Sequence, residues 1–201
     1  MITTKNLLGA LAALTISTVA FAQTEPASPA AGSRSLLGQR YLDAGIAFVD
    51  LNHSSIDAYA TGVTVNLPAT ANIDVAFNWT HDWLEAHSDV DAHTLSVDGI
   101  YYIDSGALKP FGGLSLGYVW ADWEDDSIWG AFGGVEYQVA SNVVLTARVG
   151  YDADFDDADE GSFDLSVSGR YFLTDTLAVS AGVSFIEGGD VGYVAGVTLK
   201  F

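Results

Sequence analysis

The chain of 201 residues contains no cysteine, and its 7 lysine and arginine residues stand against 26 aspartate and glutamate residues. Without cysteine it has neither disulfide bonds nor thiolate metal sites. The net charge of −19 argues against nucleic-acid binding, because binding to phosphates depends on clustered basic side chains. Hydrophobic residues make up 49% of the chain and aromatic residues 12%, which argues against intrinsic disorder.

Long hydrophobic runs are also missing, since no segment after the N-terminus approaches about 18 consecutive apolar residues. Residues 1–22 are predicted to be a secretory signal peptide: Lys5 supplies the basic start, an apolar run follows, and Ala20-Phe21-Ala22 resembles a cleavage site. Residues 23–36 are rich in Pro, Ala, Gly and Ser and are predicted to form a flexible lead-in. The remaining residues, 37–201, are predicted to form one β-domain.

The rest of the chain alternates apolar and polar residues with a period of two. The alternation divides into ten segments, each long enough for a tilted membrane strand of about 9–11 residues. They are residues 39–50, 55–67, 72–84, 92–103, 107–123, 127–139, 142–153, 161–173, 176–186 and 190–201. This pattern predicts an all-β, antiparallel up-and-down transmembrane β-barrel of ten strands.

The composition of the two strand faces favours a membrane barrel over a soluble one. One face is apolar and has no charge in its middle, whereas the other consists of small polar residues, glycine and a few charged residues. A soluble barrel would instead present long charged side chains to solvent. In an up-and-down topology the aromatic residues of the apolar face gather near the two rims, as expected at the two interfaces of a bilayer.

Three stretches carry a family resemblance: Lys109-Pro110-Phe111-Gly112-Gly113-Leu114-Ser115-Leu116-Gly117-Tyr118, Gly133-Gly134-Val135-Glu136-Tyr137 and Val197-Thr198-Leu199-Lys200-Phe201. In these residues the chain resembles the small outer-membrane β-barrel proteins of Gram-negative bacteria, the OmpA-type and opacity-porin-like group. The resemblance implies an outer-membrane location and makes the terminal Phe201 the signal read by the outer-membrane assembly machinery. Many members of this group have eight strands, so eight is the alternative to ten.

Four charged residues on the polar face of the sixth to eighth predicted strands form a candidate lumen charge network: Glu136, Arg148, Asp164 and Arg170. Hairpin pairing is expected to bring Arg148 near both Glu136 and Asp164. Each charge in a narrow lumen needs a partner, because a buried charge without one is costly. The set is therefore interpreted as a polar plug, with an ion gate or selectivity ring as the alternative.

The five presumed outer junctions hold 18 of the 26 acidic residues and no lysine or arginine. Such a field would attract divalent cations and repel anions. A weak calcium candidate lies in one junction and comprises Asp152, Asp154, Asp156, Asp157 and Asp159. Its spacing departs from the twelve-residue EF-hand loop, so a solvated acidic rim is the preferred interpretation and no metal site is predicted.

No catalytic residue and no cofactor is predicted. His81 and His93 fall on the lipid-facing register, which is a poor place for a general base, and no phosphate loop, metal-binding histidine pair or nucleophile elbow is recognised. The sequence thus predicts a non-enzymatic outer-membrane protein with a largely filled polar lumen and acidic extracellular loops. The alternatives are a narrow, passive, cation-preferring porin-like channel and a surface ligand-binding or adhesin barrel. The expected partners are outer-membrane lipid, lipopolysaccharide, the assembly machinery and divalent cations.

Overall fold

The computed structural model describes residues 34–51, 57–84, 90–121, 125–156 and 161–201. In these residues ten strands form one closed antiparallel barrel. The strands are β1 (Tyr41–Asp50), β2 (Asp57–Pro68), β3 (Ile73–Leu84), β4 (Val90–Tyr102), β5 (Leu108–Ala121), β6 (Asp125–Ala140), β7 (Val143–Asp154), β8 (Ser162–Phe172), β9 (Leu177–Ile186) and β10 (Asp190–Lys200). The prediction of ten strands is confirmed, and the alternative of eight strands is wrong.

Pairing between β1 and β10 closes the barrel, with Tyr41 opposite Lys200 and Asp50 opposite Val191. The amide of Phe201 extends this contact by donating to the carbonyl oxygen of Arg40 at 3.1 Å. Closure gives every strand two neighbours, so no strand edge is left with unpaired backbone groups.

The predicted signal peptide, residues 1–22, lies outside the described residues, as does most of the predicted lead-in. No helix long and apolar enough to cross a membrane occurs among the residues that the structure describes.

The two ends of the barrel differ in their connections. One end, here called the turn end, carries the short connections at residues 69–72, 103–107, 141–142 and 173–176. The opposite end, the loop end, carries the connections that follow β1, β3, β5, β7 and β9. Short turns are typical of the periplasmic side of outer-membrane barrels.

The exterior of the barrel is apolar. Large aliphatic and aromatic side chains on every strand are exposed, among them Ile46 at 62% and Leu114 at 66% of their accessible surface. The intervening residues point inward and are largely buried, so the predicted alternation holds along all ten strands. A continuous apolar exterior around a closed barrel is the surface expected of a protein that lies in the hydrocarbon core of a bilayer.

Aromatic and imidazole rings form a belt on the exterior of the loop end. Neighbouring rings lie with their centroids 4.5 to 6.3 Å apart along two runs, one from Tyr193 through Phe48, Tyr59, Trp83, His81, His93 and Trp120 to Tyr118, the other from Trp129 through Tyr151 to Phe163. Exposed rings at the turn end belong to Tyr101, Tyr137, Tyr171 and Phe201. Amphipathic rings of this kind occupy the headgroup level of a bilayer.

Candidate functional site

The candidate site is the lumen of the barrel, whose wall is polar. Among the described residues, seven carboxyl groups and three basic groups are buried there, together with many hydroxyl and amide groups. The carboxyl groups belong to Asp43, Asp74, Asp82, Asp98, Glu136, Asp152 and Asp164, and the basic groups to Lys109, Arg148 and Arg170. They reach the lumen because inward positions recur at every second residue of each strand.

The middle of the lumen is organised around Arg148 on β7. Its Nη1 donates to both carboxylate oxygens of Asp164 on β8, at 3.0 and 3.1 Å. Its Cζ lies 4.7 Å from the centroid of the Phe132 ring, an arrangement that adds a cation–π contact. Gly150 is required between the two charged groups, because a Cβ there would collide with the Asp164 carboxylate and lie 2.9 Å from Arg148 Nη1.

A second carboxylate, Asp98 on β4, faces the same region. It accepts hydrogen bonds from Ser115 Oγ at 2.6 Å and Asn78 Nδ2 at 3.0 Å. Asp98 and Asp152 both interact electrostatically with Arg148. The Arg148 guanidinium therefore bonds to Asp164 directly and acts on Asp98 and Asp152 through its charge alone.

Near the turn end, a second ion pair crosses the lumen. Arg170 Nη2 on β8 lies 3.1 Å from Asp43 Oδ2 on β1, and Thr198 Oγ1 donates to the same oxygen at 3.3 Å. Two strands, β9 and β10, separate β8 from β1 around the wall, so the pair forms a chord across the lumen. The alternation of segment 39–50 predicts that Asp43 lies on the polar face, but its partner on β8 depends on how the barrel closes.

Glu136 on β6 completes the turn-end network. Its carboxylate accepts a hydrogen bond from Ser35, and the basic groups that act on it are those of Arg170, Lys109 and Lys200. Lys109 Nζ is itself 3.3 Å from Asp104 Oδ1. The predicted set is therefore split between two levels: Arg148 contacts Asp164, whereas Glu136 belongs with Arg170 and sits opposite Thr146 on β7.

Residues 34–40, here called the N-terminal strap, enter the lumen at the turn end. Leu36 and Leu37 are both 0% exposed. Leu36 is clustered with residues of β1, β7, β8 and β9, and Leu37 with residues of β3, β4 and β5. The last three residues of the predicted lead-in, 34–36, thus lie against the barrel wall, and nothing in their composition or period indicated it.

Polar contacts hold the strap in place. The amide of Gly38 donates to Asp74 Oδ2 at 2.8 Å, and Asn66 Nδ2 donates to the same oxygen at 3.1 Å and to the carbonyl of Gln39 at 3.0 Å. Gly38 has φ of +84°, a conformation that suits glycine. Arg34 fixes the outer end of the strap through an ion pair with Asp175.

The loop end of the lumen has a different wall, made largely of small or aliphatic residues. Here Asp82 on β3 is 1% exposed and is flanked across the strands by Ala60 and Ala92. Within the part of the chain that the structure describes, neither of its carboxylate oxygens has a hydrogen-bond partner. Asp82 is one of the 18 acidic residues predicted for the outer junctions, but the structure places it inside the barrel.

The residues of the weak calcium candidate are separated by their positions. Asp152 faces the lumen and is buried, Asp156 is exposed, and Asp154 is the last residue of β7. Asp157 and Asp159 lie outside the described residues. Among the residues that are described, no group of three or more histidine, cysteine, aspartate or glutamate side chains is arranged to hold a metal ion.

Comparison with solved structures finds the same architecture elsewhere. The chain is similar to the NanC porin, with 13% identity, a TM-score of 0.51 and coverage of 80% of this chain and 100% of that one. It is also similar to the translocator domain of the autotransporter NalP from Neisseria meningitidis, with 12% identity, a TM-score of 0.50 and coverage of 82% and 88%. Neisserial surface protein A is 19% identical over 81% of this chain and 96% of that one, with a TM-score of 0.42.

No protein-family model matches the chain, and no curated protein sequence matches it. At the identities above, the likeness to solved structures shows the fold alone. Together with the apolar exterior and the aromatic belt, that fold defines a transmembrane β-barrel of the outer-membrane type. The chain therefore has the architecture of an outer-membrane β-barrel.

Proposed function

We propose that the protein is a non-enzymatic component of the outer membrane whose lumen is closed to solutes and whose role lies in its exterior and its acidic loops. The observation that carries this proposal is the complete burial of Leu36 and Leu37 in the turn-end mouth. The strap brings its own backbone and two leucine side chains into the cross-section through which a solute would pass.

A second barrier in the middle of the lumen supports the same function. The Arg148–Asp164 pair is buried and is backed by the ring of Phe132. Moving a hydrated solute past it would require separating two buried charges, which costs several kcal/mol. Barrels of this size are commonly filled by their own side chains.

Conductance measurements test this proposal. The refolded protein is inserted in a planar bilayer after its heat-modifiable gel mobility has shown a closed barrel, and no single-channel steps are expected. A matched variant, Leu36→Asp with Leu37→Asp, should expel the strap while leaving the middle network in place. Reproducible steps from the unaltered protein would overturn the proposal of a closed lumen.

A second candidate function, a narrow cation-preferring channel, is favoured by the charge of the lumen. Among the described residues, seven buried carboxyl groups face three buried basic groups, so a pathway opened along this wall would attract cations. Replacing Arg148 and Arg170 by serine would then raise conductance and strengthen cation preference, measured as the reversal potential in a salt gradient. The same variants of a closed barrel would remain silent.

The proposed partners follow from the exterior of the molecule. Outer-membrane lipid and lipopolysaccharide contact the apolar exterior. The assembly machinery reads Phe201, which follows β10, and divalent cations associate with the acidic loops. A surface-ligand or adhesin role would act through the same loops. Phe201→Ser tests the assembly signal: we expect less protein to reach the outer membrane while the purified variant still refolds in detergent.

A further inference from the structure

Two histidine side chains face each other on the lipid-facing surface of the loop end. His81 on β3 and His93 on β4 occupy directly opposed positions of the antiparallel pair. Their rings are 4.5 Å apart between centroids, with an angle of 21° between their planes. Both belong to the outward register that also carries Trp79 and Trp83, so the pair is separate from the lumen site.

The pair lies where water and ions can reach it. It is part of the aromatic belt, which marks the headgroup level of the bilayer rather than the hydrocarbon. His81 is 31% exposed, and its Nε2 is 3.4 Å from Oδ1 of Asp91, a side chain that is 52% exposed. Two imidazoles and one carboxylate therefore meet at a hydrated interface.

Imidazole nitrogens at this separation can chelate a metal ion. Tetrahedral bonds of about 2.0–2.1 Å place two ligand nitrogens roughly 3.3 Å apart. Opposed side chains on paired strands have Cβ atoms about 4.5–5.5 Å apart, so side-chain rotation alone brings the two nitrogens to that distance. No group of three potential ligands among the described residues already surrounds a metal position, so the site would begin as a two-imidazole chelate.

We propose that His81 and His93 bind one divalent transition-metal ion at the outer headgroup level, with Asp91 or water completing its coordination. Imidazole favours ions such as Zn²⁺ and Cu²⁺ over Ca²⁺ and Mg²⁺, which prefer oxygen ligands. The chain has no cysteine to compete for such an ion, and its acidic outer junctions raise the local concentration of cations. The proposal is independent of whether the lumen conducts.

The site carries its own fluorescent reporters. The ring of Trp83 lies 5.3 Å from that of His81, and those of Trp79 and Trp120 lie 6.1 and 6.0 Å from that of His93. We expect CuCl₂ to quench tryptophan emission of the refolded protein with one equivalent, and a chelator to restore it. His81→Asn and His93→Asn should each weaken Cu²⁺ binding at least tenfold. His87→Asn, which removes an imidazole from the 85–89 junction, is the matched control and should leave binding unchanged.

Electron paramagnetic resonance of bound Cu²⁺ gives a second readout that does not depend on affinity. The unaltered protein should show hyperfine coupling to two imidazole nitrogens, and each single variant to one. All variants are first checked for heat-modifiable mobility, and both exchanges lie on the exterior, where no lumen contact is lost. The proposal would be overturned if Cu²⁺ affinity were unchanged in both variants or if His87→Asn lost as much affinity as they do. Quenching that needs many equivalents of Cu²⁺ would also overturn it, because it indicates binding to carboxylates alone.

Discussion

The turn end and the loop end of the lumen differ in how their buried carboxyl groups are partnered. At the turn end, Arg170 meets Asp43, Ser35 donates to Glu136, and the strap brings an amide to Asp74. At the loop end, Asp82 is equally buried but is flanked by alanines and has no hydrogen-bond partner among the described residues. Asp43, Asp74 and Glu136 at the turn end thus each have a partner, whereas Asp82 at the loop end has none among the described residues.

The comparison shows that inward polarity alone does not reveal what a buried carboxyl group does. A buried carboxylate that is paired with a guanidinium is compensated for its lost hydration. A buried carboxyl group without a partner is not, and it destabilises the folded state. Replacing a paired carboxyl group and replacing Asp82 should therefore change the free energy of unfolding with opposite signs.

The largest change in the free energy of unfolding is expected at Arg148, the basic group in the middle of the lumen. Arg148→Met should lower the free energy of unfolding by about 3–5 kcal/mol, because Asp164 would be left buried without its cation. Urea unfolding in lipid vesicles, followed by tryptophan fluorescence, measures it. The double variant Arg148→Met with Asp164→Leu should recover part of the loss, and a single-variant cost below about 1 kcal/mol would contradict the assignment.

Next in size is the strap, which only the turn end possesses. Leu37→Ala should cost about 2–5 kcal/mol, because Leu37 is completely buried in the cluster that includes Ala76, Ile100 and Phe111. Leu114→Ala is the matched control, since that side chain is 66% exposed on the exterior and its truncation leaves no cavity inside the lumen. Equal losses from both exchanges would mean that the strap is not anchored by its leucines.

The smallest effect, and the one of opposite sign, is expected at the loop end. Asp82→Leu should raise the free energy of unfolding by about 1–3 kcal/mol, because it replaces an unsatisfied buried carboxyl group by an apolar side chain between Ala60 and Ala92. Asp164→Leu, the same exchange at a paired site, should lower it. Both are measured by the urea experiment above. Destabilisation by Asp82→Leu would show that Asp82 is compensated after all.

The strands and their faces could be predicted because each depends on local sequence. The alternation around Val143–Asp154, for example, fixes which residues of β7 face the lumen wherever the strand lies in the barrel. The contact of Arg148 with Asp164 follows too, since β7 and β8 form a hairpin. The opposed positions of His81 and His93 could be predicted for the same reason, because β3 and β4 also form a hairpin.

Other features depend on how the whole barrel closes and carry no local signal. Arg170 meets Asp43 across 127 residues of sequence, and only the stagger between the first and last strands determines that they meet. The strap is similar, because Ser35 and Leu36 form no periodic pattern that would predict burial. Asp82 was misplaced because an aspartate near a strand end looks the same in sequence whether it points into a lumen or into a loop.

The strap also has a consequence for the order in which the chain folds. Arg34 bonds to residues 104 to 141 positions further along the chain, and its contacts presuppose turns between β6 and β7 and between β8 and β9. Contacts between residues so far apart in the sequence are expected to form late, because closing a long loop costs conformational entropy. The strap is therefore expected to reach its place only after the turn between β8 and β9 has formed, so the first described part of the polypeptide docks late in the assembly of the barrel.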